Sequence, residues 1–397
     1  MSHSDRAHAK LAPSAAARWM ACPGSVRLSA GIEETPSHFA AEGTAAHMLA
    51  ERCMRTGFDA ARFKGWAVHT QPKPKTEPIQ QGWKVDGKTV FPVDSEMVDA
   101  VQLYLDVVRE IAQHADEHEI ETRMDMSAVV PGVFGTGDFI AFKEQPARRV
   151  TICDFKYGKG VAVDAEDNEQ LLTYAVGVVQ RYHNRGVDEV ELIVVQPRAP
   201  HRAGPVRRWV TDSVGLYEHV MALQSAAEEA GKPDAAFRPG DACKFCKAAG
   251  ICAALYKRVK EITMPDPTVT PYRDWKVEEL EISLVKNWAK RREEYAHAEA
   301  IRGRMPPGAK LVGKRAVRKF RDENDAVATL QMLGVDNDVL FETSLRSPTQ
   351  IEKELPKKDR SALDSLVVKS SSGTVLAPLD DPRPAVDPND ASGFEAQ

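Results

Sequence analysis

From Asp94 to His118, in DSEMVDAVQLYLDVVREIAQHADEH, apolar residues return every three or four positions. Val98, Val101, Leu105, Val108 and Ile111 therefore share one side of an amphipathic helix. Upstream, APSAAARWMACPGSVRLS has a helical pattern with Ser14 as its N-cap and Cys22-Pro23 near its end, and AEGTAAHMLAERCMRTG is a helix carrying His47. From residue 62 to 92 the chain is rich in Lys, Pro, Gly and Gln, and QPKPKTEP predicts an exposed loop or linker. Past the amphipathic helix the period changes. IETRMDMSAVV, VFGTGDFIAF and RRVTICDFK are short β-rich runs separated by turn residues, and they predict consecutive strands of one sheet. NEQLLTYAVGVVQRYH then reads as a helix, VELIVVQP as a buried strand, VRRWVTD as a further strand and VGLYEHVMALQSAAEEAG as a further helix. This order predicts an α/β fold, a central mixed sheet flanked by helices.

The pattern also divides the chain. Residues 10–260 form one mixed α/β domain, and the Pro-rich MPDPTVTPYRDW marks a linker over 261–275. Residues 276–368 form a helical and basic accessory region, with a long charged helix in DWKVEELEISLVKNWAKRREEYAHAEAIRGR and a helical stretch from Asn324 to Val368. An acidic, Pro-rich tail over 369–397 is expected to be disordered. A chain of 397 residues has ample material for a core in more than one domain. No apolar run is long enough to span a bilayer, and the polar start MSHSDRAHAK is unlike a signal peptide, so the expectation is a soluble cytoplasmic protein with no membrane partner. The net charge of -5 excludes a globally basic nucleic-acid binder. A local patch is the remaining route, and Lys310, Lys314, Arg315, Arg318, Lys319 and Arg321 supply one, either as phosphate-backbone contacts or as the lysine-guarded edge of a hairpin.

Two constellations carry chemistry. In TICDFKYGKG, Asp154 and Lys156 alternate with Phe155 and so share one face of a strand, and Asp138 sits on the strand before. A hairpin would bring the two carboxylates together, where they repel unless a cation lies between them; hard oxygen ligands select Mg or Mn. The Lys156 ammonium beside them suits a phosphate as it gains charge. The second constellation is Cys243, Cys246 and Cys252, three of six cysteines within ten residues. In a cytosolic chain this clustering reads as a metal site lacking one ligand, and Cys22, at the end of the first helix before Pro23, is the best placed to complete it. Cys53 and Cys153 sit in apolar contexts that suit core residues. Iron–sulfur, structural zinc and unliganded thiols all stay open on spacing alone.

Read in order, His47, the G-x-x-D ending at Asp138, Asp154-x-Lys156 and Gln170-x-x-x-Tyr174 resemble the RecB-like branch of the PD-(D/E)XK nuclease superfamily. The resemblance implies that His47, Asp138 and Asp154, with the Phe155 carbonyl, ligate Mg or Mn, that Lys156 is the catalytic lysine, and that Gln170 and Tyr174 support the site or touch DNA. Glu121, on the strand that opens the sheet, matches a less regular acidic position. Cys22 with Cys243, Cys246 and Cys252 is similar to the iron–sulfur staple of AddB and the CRISPR-associated RecB-like exonucleases, where a 4Fe–4S cluster ties the ends of the domain. The arrangement over nearly the whole chain resembles an uncharacterised phage and prophage family. Together these imply a DNA exonuclease in phage replication, recombination or repair, with a helicase or single-strand-binding protein as possible company. The rival expectations are a non-catalytic DNA-binding or assembly factor that keeps the fold, and a redox protein using the cluster; the complete D...D-x-K set disfavours the first, and the lack of a flavin or nicotinamide fingerprint the second.

Overall fold

The computed structural model describes residues 9–32, 37–71, 76–264, 274–310 and 331–332. Two compact units divide the chain, the first comprising residues 1–269 and 281–295 and the second 270–280 and 296–397. In the first unit, a 3-10 turn over Pro13–Ala15 leads into α1 (Ala16–Ala21), then α2 (Gly24–Ser29) and α3 (His38–Thr56). Ser14 lies inside that turn and caps nothing; Pro13, with its fixed φ and missing N–H, starts the turn instead. Helix α3 behaves as its ends dictate, with the Ser37 hydroxyl accepting the Ala40 amide and Gly57 closing it in the left-handed region.

The Lys-, Pro-, Gly- and Gln-rich stretch over 62–92, for which no strand was expected, contains a small antiparallel sheet of β1 (Ala67–His69), β2 (Ile79–Gln80) and β3 (Val90–Pro92), in the order β2-β1-β3. Its strands are too short for alternation to register in the sequence. Val68, Ile79 and Phe91 are buried and join the core under α3 and α4, and that burial outweighs the turn-forming composition around them.

Helix α4 (Ser95–His114) follows, N-capped by Asp94. It leads into β4 (Glu117–Asp125), β5 (Phe134–Lys143), β6 (Arg149–Phe155), α5 (Glu169–Arg181), β7 (Glu189–Val195), β8 (Val206–Thr211) and α6 (Ser213–Gly231). The five long strands form one sheet in chain order. Pairing is antiparallel except between β6 and β7, which run parallel because α5 crosses between them. Strand alternation sends Phe139, Ala141, Cys153, Phe155, Ile193 and Val195 into a core shared with α3 and α4. Ile140, Phe142, Ile152, Leu192 and Val194 go to the other core, under α1, α5 and α6. The outcome is the expected mixed sheet with helices on both faces.

Helix α7 (Ala253–Thr263) follows the cysteine-rich segment, and α8 (Trp275–Ile301) contributes its middle, 281–295, to the first unit. There Leu284, Val285 and Trp288 pack on Cys243, Cys246, Leu255 and Val259 in a third, smaller core. Gly250 allows this approach, since a Cβ there would stand 2.4 Å from the Arg291 carbonyl oxygen. Of the basic stretch only Lys310 is among the described residues; Lys314, Arg315, Arg318, Lys319 and Arg321, the helical stretch from Asn324 to Val368 apart from Gln331 and Met332, and the acidic tail lie outside them.

Candidate metal centre and cysteine cluster

The last paired residues of β5 and β6 are Phe139 and Cys153. One step further stand Asp138 and Asp154, where the pairing of these two central strands ends. The Phe155 amide, which would otherwise seek a strand carbonyl, donates to the Asp138 Oδ2 at 2.8 Å. The other carboxylate oxygen of Asp138 lies 3.4 Å from the His47 Nδ1 on α3. Glu121 stands across from Asp138 on β4, between the paired Ile120–Phe139 and Thr122–Gly137, and takes φ 49°, the left-handed region. For a non-glycine residue in a strand this conformation costs about 1–3 kcal/mol and is typical of residues held for function. It brings the Glu121 carboxylate into a group with His47 and Asp138, all three offering ligand atoms within 4.8 Å of one another.

Asp154 is buried on the α5 side. Its Oδ1 accepts from the Gln170 amide nitrogen at 2.9 Å, and its Oδ2 faces the Lys156 ammonium at 2.9 Å. That ion pair is not aligned as a hydrogen bond, and Oδ2 finds no other donor. Lys156 donates instead to the Gln170 Oε1 at 2.9 Å. One glutamine amide thus orients both the acid and the lysine. The Asn168 side chain caps the Leu171 amide and starts α5 at the point that puts Gln170 there. One turn on, Tyr174 is buried with its hydroxyl against Gln170. Its ring comes so near β5 that a Cβ on Gly135 would stand 2.9 Å from the ring and 3.0 Å from Pro13. This gives the G-x-x-D glycine a steric reason.

The charges of the site are held apart by their surroundings. Burial alone would keep His47 neutral, but the Asp138 carboxylate, with Glu121 and Asp154 behind it, outweighs burial and pushes the imidazole up to about 9. Burial likewise opposes ionisation of Asp138, yet His47, the Phe155 amide and Lys156 hold its carboxyl below the usual range. Asp154 goes the other way: burial and the nearby Asp138 charge raise it despite Lys156. The two acids and the histidine thus shift one another as well as being shifted by burial, which marks them as one interacting group. The donor set of one imidazole and hard carboxylate oxygens fits Mg or Mn.

Sequence reasoning passed over Tyr104. It lies among the apolar positions of α4, buried, and stacks on Phe155 with ring centroids 4.9 Å apart, while His47 meets the same ring at 5.2 Å. The available signal was an aromatic residue in the core stripe of α4, which is too common to single out. Gln196 and Arg198, at the end of the apolar run of β7, were passed over too.

Cys22 caps α1, and the Arg238 amide donates to its sulfur at 3.3 Å across a separation of 216 residues. The Gly240 amide donates to Cys243 and the Leu255 amide to Cys252, each at 3.5 Å, and the Ser29 hydroxyl lies 3.8 Å from the Cys246 sulfur. All four cysteines line one cavity, with Arg18 and Ser25 beside them. Donors aimed at sulfur suit thiolates, although burial pushes the Cys243 thiol up to about 11. No three of the four sulfurs lie within 4.8 Å of one another. A tetrahedral zinc with Zn–S bonds of about 2.3 Å would draw them to roughly 3.8 Å. Cys53 and Cys153 are fully buried in the core with α3 and α4.

No helix among the described residues is long and apolar enough to cross a membrane. Residues 8–384 match the family model described as "Protein of unknown function (DUF2800)", and with nearly its whole length covered the chain belongs to that family.

Proposed function

We propose that this chain is a metal-dependent deoxyribonuclease, an exonuclease acting on free DNA ends in phage replication, recombination or repair. The observation that carries the reading is the His47, Glu121 and Asp138 group beside a lysine held by Asp154 and Gln170. His47, Asp138 and Asp154, with Glu121 and the Phe155 carbonyl, would hold Mg or Mn, which when bound supplies an activated water and neutralises charge on the scissile phosphate. The remaining work falls to side chains already in place. Lys156 engages one N–H with Gln170, faces the Asp154 carboxylate at 2.9 Å and is 29% exposed, which leaves donors for a phosphate oxygen. Gln170 fixes both groups at once, and Tyr174 supports Gln170 from below. The preference for ends rests on the resemblance to RecB-like exonucleases.

For the cysteines the same reading is a 4Fe–4S cluster held by Cys22, Cys243, Cys246 and Cys252, structural in role, with structural zinc as the alternative; the shared cavity supports a common ligand for the four. Iron, sulfide and zinc analysis of anaerobically purified protein separates the two.

The test of the activity is cleavage of end-labelled linear and closed circular DNA, single- and double-stranded, with Mg or Mn against EDTA. Wild type degrades linear DNA only with metal and spares circles, and Lys156→Ala loses at least about 10²-fold in rate. Equal inertness of wild type and variant, with the cluster intact, would overturn catalysis and favour a DNA-binding or assembly role.

A further inference from the structure

Immediately after Lys156 the chain runs through Tyr157, Gly158, Lys159, Gly160 and Val161 before reaching α5. Such a glycine-rich loop would ordinarily be loose. Here the segment Gln196-Pro197-Arg198, just beyond β7, grips it at both ends. Gln196 is 2% exposed and uses its full hydrogen-bonding capacity: its amide nitrogen donates to the Gly158 and Val161 carbonyls at 3.1 and 2.8 Å, and its oxygen accepts from the Val163 amide at 3.0 Å and from Arg207 at 2.6 Å.

Arg198 holds the other end. Its guanidinium lies 3.9 Å over the Tyr157 ring and donates to the Tyr157 carbonyl at 3.4 Å. Its two terminal nitrogens each take a carboxylate at 3.1 Å, Glu42 on α3 and Glu96 at the start of α4. Glu96 also takes Lys159 from the loop at 2.7 Å, so two cations and two anions close a neutral network across the loop and both helices. Glu42 precedes His47 on α3 by five residues, nearly one and a half turns. The Arg198 side chain is only 7% exposed, and its Nε is buried with no partner. Apolar residues of like volume often hold a fold at least as well as a buried ion network; the role best attested for such networks is setting register.

We propose that Arg198, aided by Gln196, is a positioning residue that locks the 157–163 loop to α3 and α4 and thereby sets Lys156, the residue just past β6, and His47 on α3 in register with one another. The inference rests on the metal-site reading above and adds to it a residue outside the ligand set. The orphaned Nε is the cost of an orientation dictated by the other contacts: planar stacking on Tyr157 and the forked reach to two helices leave no choice for the third nitrogen, and lysine could not reproduce them.

The test compares wild type, Arg198→Gln, Arg198→Lys and Glu96→Gln in the full chain, by hydrogen exchange over 157–163 and by Mn²⁺ titration. Glu96 is half-exposed, so its variant keeps the test open where Arg198→Gln fails to fold. Exchange in the loop should quicken about tenfold and Mn²⁺ affinity fall about tenfold in Arg198→Gln and Glu96→Gln, the range typical for residues behind metal ligands, with Arg198→Lys between them and wild type. Variants that melt earlier but bind Mn²⁺ as wild type does overturn the inference alone, because their role is then only structural. Wild type that binds no Mn²⁺ overturns the metal-site reading and this inference with it.

Discussion

At Glu121 a single residue carries both a cost and a use. Its left-handed backbone is unfavourable for any side chain with a Cβ, and its carboxylate adds a negative charge beside Asp138. Glu121→Gly relieves both. In thermal melts without metal the variant should be as stable as wild type or more so, while titration should show its Mn²⁺ affinity at least about tenfold weaker. A variant that loses stability and keeps its affinity would make Glu121 a structural residue. His219 on α6 shows the reverse case of a group kept neutral. The Thr173 hydroxyl donates to the Glu169 carbonyl at 2.6 Å, so its oxygen receives the N–H of the His219 Nε2 at 3.1 Å. Burial holds this histidine down to about 4. The unfolded chain takes up the proton near pH 6.5, so the stability tied to neutral His219 is complete above that value and is lost as pH falls toward 4. The loss amounts to roughly 3 kcal/mol. Denaturant melts of wild type and His219→Gln should diverge across that window, and parallel curves would sink the assignment.

Between elements, the site depends on how closely α5 approaches β5. Tyr174 lies against a strand position where only hydrogen fits, and Gly135 supplies it. An alanine there must push the ring and α5 outward, and overpacking of this kind costs about 1–3 kcal/mol. Gly135→Ala should therefore melt earlier and loosen Gln170, which both Asp154 and Lys156 need. A cost under about 0.5 kcal/mol by denaturant titration would show that the contact yields. Much at this scale was legible beforehand. The strong period of α4, the helical pattern of α5 and the β-rich runs of β5 to β7 each agree with the fold around them. The three short strands between Ala67 and Pro92 were not legible, because two or three residues show no period and their burial comes from α3 and α4.

For the first unit as a whole, the cysteines matter through the length of chain they enclose. Cys22 and the 243–252 segment share one cavity, and a cluster binding all four would close nearly the whole unit. Removing it with a chelator under reducing conditions should lower the melting temperature on the order of 10 °C. An identical melt with and without iron would exclude a structural cluster.

The sequence by itself determined the long elements and the chemical inventory: sustained periods are properties of neighbouring residues, and D-x-K, Q-x-x-x-Y and C-x2-C-x5-C are fixed in spacing by the chain. Only the tertiary structure decided which groups meet. It put His47 of α3 beside Asp138, turned Glu121 inward through a strained φ, placed Gln170 between Asp154 and Lys156, and set Arg198 across the loop from Glu42 and Glu96. These partners are distant along the chain, and their meeting follows from the sheet order and from the burial that makes each unpaired charge costly.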